Sequence, residues 1–150
     1  MKRNIQDYEK KYEDYAFEEI QAKYRKRSIL DLIKKIEPKR IMEVGCGLDP
    51  LFAYLEQFEV FCVVEPTKAF FSNAMKIRKT SHLTSRIVLR KNFIEEDFEF
   101  LSSQKFDFAV IAGLLHEVED PSLVLESVRR ILPKGARLYV NVPNAESFHR

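Results

Sequence analysis

The sequence predicts an α/β fold in which a mostly parallel sheet lies between two layers of helices, a three-layer sandwich with a helical N-terminal extension. Three observations predict it. Short apolar runs recur at residues 40–44, 60–64, 87–90, 106–112 and 137–142. Segments with helical spacing of apolar residues separate them, and strands alternating with helices imply parallel pairing with right-handed crossovers. Two glycines, Gly45 and Gly47, follow the first run at once, and an acid, Glu65, ends the second.

The elements follow in order. Residues 5–35 read as helix, in two pieces. Ile29, Leu32, Ile33 and Ile36 form an apolar stripe, and Pro38 ends the second piece. The first piece carries Tyr8, Tyr12 and Tyr15 among mixed charges, and Glu19 and Lys23 form an i,i+4 pair in the favourable order. Strand 40–44 leads through the glycines to Asp49 and Pro50, a side-chain cap followed by a proline whose missing N–H costs nothing at a helix start, so a helix is expected near 50–57. Strand 60–64 precedes a helix near 67–78, with Thr67 available as its N-cap. A weaker strand at 87–90 runs into Asn92, Phe93 and Asp97. Strand 106–112 leads to a helix at 121–132, where Val124, Val128, Ile131 and Leu132 share one face. Gly135 marks a turn before the strand at 137–142.

Composition bounds the function. A chain of 150 residues forms one domain that buries about two-thirds of its unfolded surface. No apolar run approaches the ~20 residues needed to span a bilayer, and Met1-Lys2-Arg3-Asn4 leads into charged sequence with no signal-peptide core. Cys46 and Cys62 fall in predicted buried elements without metal-ligand spacing, so no metal site is expected, and reduced thiols in a cytoplasm are. A net charge of +2 does not point to nucleic acid. The basic cluster Lys23, Arg25, Lys26 and Arg27, with Glu18 and Glu19 beside it, reads as a solvated helix face.

The glycine turn carries the chemistry. Strand, glycine turn, helix, strand, acid is how a Rossmann-like unit holds an adenosine-bearing cofactor, the acid bonding the ribose hydroxyls. A dinucleotide site calls for a third glycine, and here that position is Pro50. Asp49 would place negative charge where a pyrophosphate seeks the positive helix end, with Glu43 close by. Glu43, Asp49 and Glu65 suit a cofactor with no phosphate and a positive centre, as in S-adenosylmethionine.

At these residues the chain resembles the class I S-adenosylmethionine-dependent methyltransferases. Glu43-Val44-Gly45-Cys46-Gly47 matches their first motif, and Glu65 their acid after the second strand. Phe106-Asp107 looks like the start of their fourth strand, and Leu115-His116-Glu117-Val118-Glu119-Asp120-Pro121 like the segment that follows it. Leu132-Pro133-Lys134-Gly135-Ala136 is similar to the turn before strand five. Leu48, where the family often has a third glycine, and Lys134-Gly135-Ala136 in place of P-G-G are departures.

The resemblance implies residues 1–37 as a helical lid or packing segment and 38–150 as the cofactor-binding domain. The family's last two strands, a hairpin beside strand five, are missing from the chain; a truncated domain is expected, with an apolar strand-five edge covered by a second copy or a partner chain. It also implies a cofactor set of Glu43, Gly45, Cys46, Gly47, Glu65, Pro66, Asn92, Phe93, Ala112 and Gly113. Within it, Phe93 either stacks on adenine or packs in the core. His116 is the histidine nearest the expected methyl-transfer centre, a general base or a loop-ordering residue. Tyr15, Asn144 and His149 are candidates to face the substrate.

The expected activity is methyl transfer to a small-molecule acceptor, with small or carbohydrate-linked acceptors indicated by family analogy only. The fourth strand ends Ala112-Gly113-Leu114-Leu115, without the motif of enzymes that methylate exocyclic amines of bases, and neither cysteine is placed for a thiolate mechanism. Two other classes stay open: an RNA or protein methyltransferase, and a non-catalytic cofactor-binding module.

Overall fold

Five short strands, β1 (Arg40–Val44), β2 (Val60–Val64), β3 (Ile87–Arg90), β4 (Phe108–Ala112) and β5 (Arg137–Asn141), pair in the order β3-β2-β1-β4-β5 in the computed structural model, which describes residues 16–143. Every pairing is parallel. Helices α1 (Ala16–Ile36), α2 (Lys68–Thr80), α3 (Phe98–Ser103) and α4 (Pro121–Ile131) connect and cover them. Strand order reverses between β1 and β4, so a crevice opens at the carboxyl ends of these two strands, where ligands bind in open α/β sheets.

The strands alternate their side chains between two cores. Ile41, Phe61, Val63, Phe108 and Val110 face one side, against Ile29 and Ile33 of α1 and Ala74 of α2. Met42, Val44, Cys62, Val64, Ala109 and Ile111 face the other, against Leu101 of α3 and Val124, Val128 and Ile131 of α4. Both faces are covered, which is why the strands read as continuous apolar runs with little alternation. The stripe on α1 thus packs on the sheet as expected, and the helix stops at Ile36 ahead of Glu37, whose φ is 53°, and Pro38. Over its described length α1 is one continuous helix; Tyr8 and Tyr12 lie outside the described residues.

Three elements differ from expectation. The helix expected at 50–57 is a single 3-10 turn, Leu51–Tyr54. Asp49 does not cap it: the Leu51 N–H donates to the Glu43 carboxylate instead, at 3.1 Å, and Leu55 is already extended. β4 begins at Phe108, because the Asp107 carboxylate is spent on the Lys39 and Arg40 N–H groups, both at 3.0 Å, which fixes the start of β1 beside β4. A short helix, α3, fills the connection from β3; its Leu101 is fully buried, and one buried residue in six gives too little periodicity to read. Asp97 ahead of it pairs with Arg90 at 2.5 and 2.7 Å and makes no side-chain cap.

Gly135, with a φ of 91° and open space around it, makes the turn into β5 a surface feature. β5 is an edge strand among the described residues, with Leu138 and Val140 exposed, as the sequence suggested.

Phe61 is fully buried and meets the Phe52 and Phe58 rings edge-on at centroid distances of 5.9 and 5.5 Å. Phe61→Ala is expected to cost about 3–5 kcal/mol, read as a lower urea midpoint with an unchanged slope; a loss below 1 kcal/mol would place this ring outside the core.

Candidate cofactor site

The cleft at the switch point has a volume of about 640 Å³ and is lined by the ends of β1, β2 and β4, the turns after them, α1 and the start of α4. Gly45 and Gly47 adopt φ of 75° and 55°, a region that side chains rarely occupy, so the chain can reverse sharply after β1. Glu65 sits where that reversal meets the end of β2. Its Oε2 accepts from the Cys46 N–H at 3.0 Å and the Gly47 N–H at 3.4 Å, and its Oε1 from the Thr67 N–H at 2.9 Å. One buried carboxylate therefore pins the glycine turn and the residue that precedes α2. Thr67 occupies the N-cap position, its side chain makes no capping bond, and its own N–H is held by Glu65.

Glu43 lies beneath the turn, buried, with its carboxylate on the Leu51 N–H. Burial pushes its pKa up to about 8, and the nearby Glu65 and Asp49 add to the rise while the Leu51 N–H opposes it. At neutral pH Glu43 is mostly protonated. It fixes the loop. Cys46 is buried, and burial together with Glu43 and Glu65 holds its thiol far above the ordinary range, so it is no nucleophile.

Asp49 bonds the Tyr54 hydroxyl at 2.6 Å and pairs with Lys26, whose ammonium also lies 4.0 Å from the centre of the Tyr54 ring. Burial alone would lower the Lys26 pKa, but its bonds to Asp49 and Tyr54 outweigh this and hold it above the ordinary value. The charge expected at Asp49 is thus countered. What disfavours a pyrophosphate here is Glu65, which already occupies the Cys46 and Gly47 amides that a phosphate would need.

Of the residues the sequence singled out, Glu43, Gly45, Cys46, Gly47, Glu65, Pro66, Asn92, Phe93, Ala112 and Gly113 all line this one cleft. Phe93 is 43% exposed, which removes it from the core. Leu48 lines the rim and is half exposed. His116 is not among the lining residues: it is exposed, with Nε2 2.9 Å from Glu117 Oε1, while Glu117 itself lines the cleft. Tyr15, Asn144 and His149 lie outside the described residues. Among the described residues no group of three or more histidine, cysteine or acid side chains could hold a metal ion, and no helix is long and apolar enough to cross a membrane.

The sequence reading missed Arg25 and Lys26, which line the cleft while Lys23 and Arg27 face solvent. The signal was present. Arg25 stands four residues before Ile29, the first residue of the buried stripe, and shares its face.

A family model described as a methyltransferase domain matches residues 12–150. The chain belongs to this methyltransferase family, and its fold is that of the class I, S-adenosylmethionine-dependent branch. It is 29% identical over 145 residues to a probable polyketide synthase of Dictyostelium discoideum, covering 83% of this chain and 6% of that protein. Among solved structures it is similar to a putative S-adenosylmethionine-dependent methyltransferase of Methanococcus maripaludis, with a TM-score of 0.65 and 18% identity over 81% of this chain and 56% of the other. It is likewise similar to the N-methyltransferase NodS of Bradyrhizobium japonicum, solved with S-adenosylhomocysteine, with a TM-score of 0.65 and 20% identity over 85% of this chain and 62% of the other. The chain therefore spans a small part of the synthase and under two-thirds of the two solved methyltransferases.

Glu43 generates a prediction about pH. A carboxyl whose folded pKa is raised favours the folded state fully below its ordinary value of 4.5 and loses that contribution as pH climbs to about 8. Glu43→Gln keeps an oxygen for the Leu51 N–H and cannot ionise. Its stability relative to wild type is expected to rise by up to a few kcal/mol across that window and level off above it. Urea unfolding at a series of pH values reads this; a difference that stays constant with pH would show that Glu43 titrates like an exposed acid.

Proposed function

We propose that this chain is an S-adenosylmethionine-dependent methyltransferase acting on a small-molecule acceptor. The observation that carries the reading is Glu65, buried at the end of β2 and bonded to the glycine turn. A carboxylate offers about four lone-pair sites, and the amides use three, the Gly47 contact being long at 3.4 Å. A ribose hydroxyl can take the open site, and a second can displace that long contact. The lining fits the cofactor's charge: besides Glu43, which is held mostly protonated, Asp49, Glu65, Glu95, Glu117, Glu119 and Asp120 are acids, against Arg25 and Lys26 among the described residues.

In this reading Gly45, Cys46 and Gly47 bring backbone to the amino-acid tail, Pro66, Asn92 and Phe93 border the adenine, and Ala112 and Gly113 lie under the sulfur. When bound, the cofactor supplies an electrophilic methyl group on a sulfonium. The protein's part is to align the acceptor in line with it and to exclude water. His116 is outside the cleft lining, and in this reading it is assigned no role in that step. The volume of about 640 Å³ lies in the range of small-molecule sites, and Glu95 and Asp120 on its wall would repel a phosphate backbone.

Calorimetric titration with S-adenosylhomocysteine is expected to give micromolar-range binding, weakened about 10–100-fold or more by Glu65→Ala, with no binding of NADH. Tight NADH binding would reverse the assignment. Label from methyl-tritiated S-adenosylmethionine, incubated with a cell extract, is expected in the small-molecule fraction; recovery in RNA or protein would overturn the acceptor class.

A further inference from the structure

We propose that Arg90 and Asp97 are positioning residues: their ion pair clasps the loop that borders the cofactor's base and so sets the site's preference for adenine, an inference that rests on the cleft holding S-adenosylmethionine. Neither residue lines the cleft. β3 is an edge strand among the described residues, and its ladder with β2 ends where Arg90 stands opposite Val64. Residues 91–96 leave the sheet there and bring Asn92, Phe93 and Glu95 to the cleft lining. Past the last rung of the ladder, β2 no longer directs the chain. The ion pair does. Arg90 Nε donates to Asp97 Oδ2 at 2.5 Å, and Nη2 donates to Oδ1 at 2.7 Å. This two-bond fork joins the residue before the segment to the residue after it.

Both ends of the clasp are themselves fixed. The Arg90 carbonyl accepts from the Glu65 N–H at 2.9 Å, which ties the clasp to the residue whose carboxylate holds the glycine turn. The Arg90 guanidinium lies 4.2 Å from the centre of the Phe100 ring on α3. The Asp97 carbonyl accepts from the N–H of Leu101, a fully buried residue of α3, at 3.0 Å. Asp97 is buried, whereas the Arg90 side chain is 33% exposed. A buried carboxylate is costly unless it is paired, so the closed clasp is strongly favoured. Two parallel bonds to an arginine fix orientation as well as distance. Between the two ends, Ile94 is buried in the core at the start of a 3-10 turn, Ile94–Glu96. Asn92 and Phe93 therefore stand on a short span anchored at Arg90, Ile94 and Asp97.

A site that hydrogen-bonds one base rejects its analogue only while its donors and acceptors are held in place. The test compares S-adenosylhomocysteine with S-inosylhomocysteine, which carries an oxygen in place of the amino group on the base. Calorimetry on wild type is expected to show S-adenosylhomocysteine bound about tenfold more tightly, or better. Asp97→Asn keeps the side chain's shape and removes its charge; Arg90→Lys keeps the charge and loses the fork. Each variant is expected to cut the preference to about threefold or less, chiefly by weakening S-adenosylhomocysteine. A residue that only stabilises the fold leaves the ratio of the two affinities unchanged. Should Asp97→Asn lose its fold, Arg90→Lys, which retains a cation beside the buried acid, carries the comparison. The inference is overturned if the folded variants keep the wild-type preference, whether both ligands weaken in parallel or neither does. It is overturned equally if wild type binds the two ligands alike, which leaves the cofactor reading standing and shows that the loop reads no base. Wild type that binds neither ligand would reject the cofactor reading itself, and this inference with it.

Discussion

The bond network of Glu65 holds the cleft in shape. β1 and β2 are neighbours in the sheet, and what each does after its last residue depends on this carboxylate, which collects the Cys46 and Gly47 amides from one strand's exit and the Thr67 amide from the other's. Buried amides need acceptors, and an unpaired one costs about 1–3 kcal/mol. Both glycines sit at positive φ, so the turn has little conformational preference of its own, and the acid supplies it. Under the proposed function the same side chain offers its remaining capacity to the cofactor, so that one group would carry both structure and recognition.

Around Glu65 the charges are sorted by burial. Burial, with a smaller push from Glu65, raises the Glu43 pKa, and in its protonated form Glu43 spares the site a second buried negative charge. Asp49, nearer the surface, keeps its charge balanced by Lys26. What the site sets against a pyrophosphate is therefore the occupied Cys46 and Gly47 amides, and not the three independent charges that the residue types alone suggest. α1 matters here in two ways: its C-terminal half completes the sheet's hydrophobic face, and its preceding turn brings Arg25 and Lys26 to the cleft.

How much of this was legible in the sequence depends on the kind of signal. The strands were, because runs such as 60–64 are buried on both faces and stay apolar throughout, and the strand–glycine–acid spacing located the cleft. The turn at Leu51–Tyr54 was not, because the partner of its first N–H is Glu43, eight residues back and in another element. Arg25 and Lys26 read as solvated because a basic run was judged by composition; its phase against Ile29 held the answer. His116 is different: its motif places it along the chain, while its contact with Glu117, 2.9 Å away, is visible only in the structure. Among the described residues the strand-end part of the cleft lining was readable, and the part contributed by α1 was not, since no local pattern specifies how α1 packs over the turns.

Amide hydrogen exchange, resolved by residue in the unliganded protein, tests the central role of Glu65 most directly. Replacing it with alanine is predicted to strip protection from the Cys46, Gly47 and Thr67 amides while the amides of β1 and β2 keep theirs. Unchanged protection at Cys46 and Thr67 in that variant would contradict the account, because the glycine turn would then hold its shape without the acid.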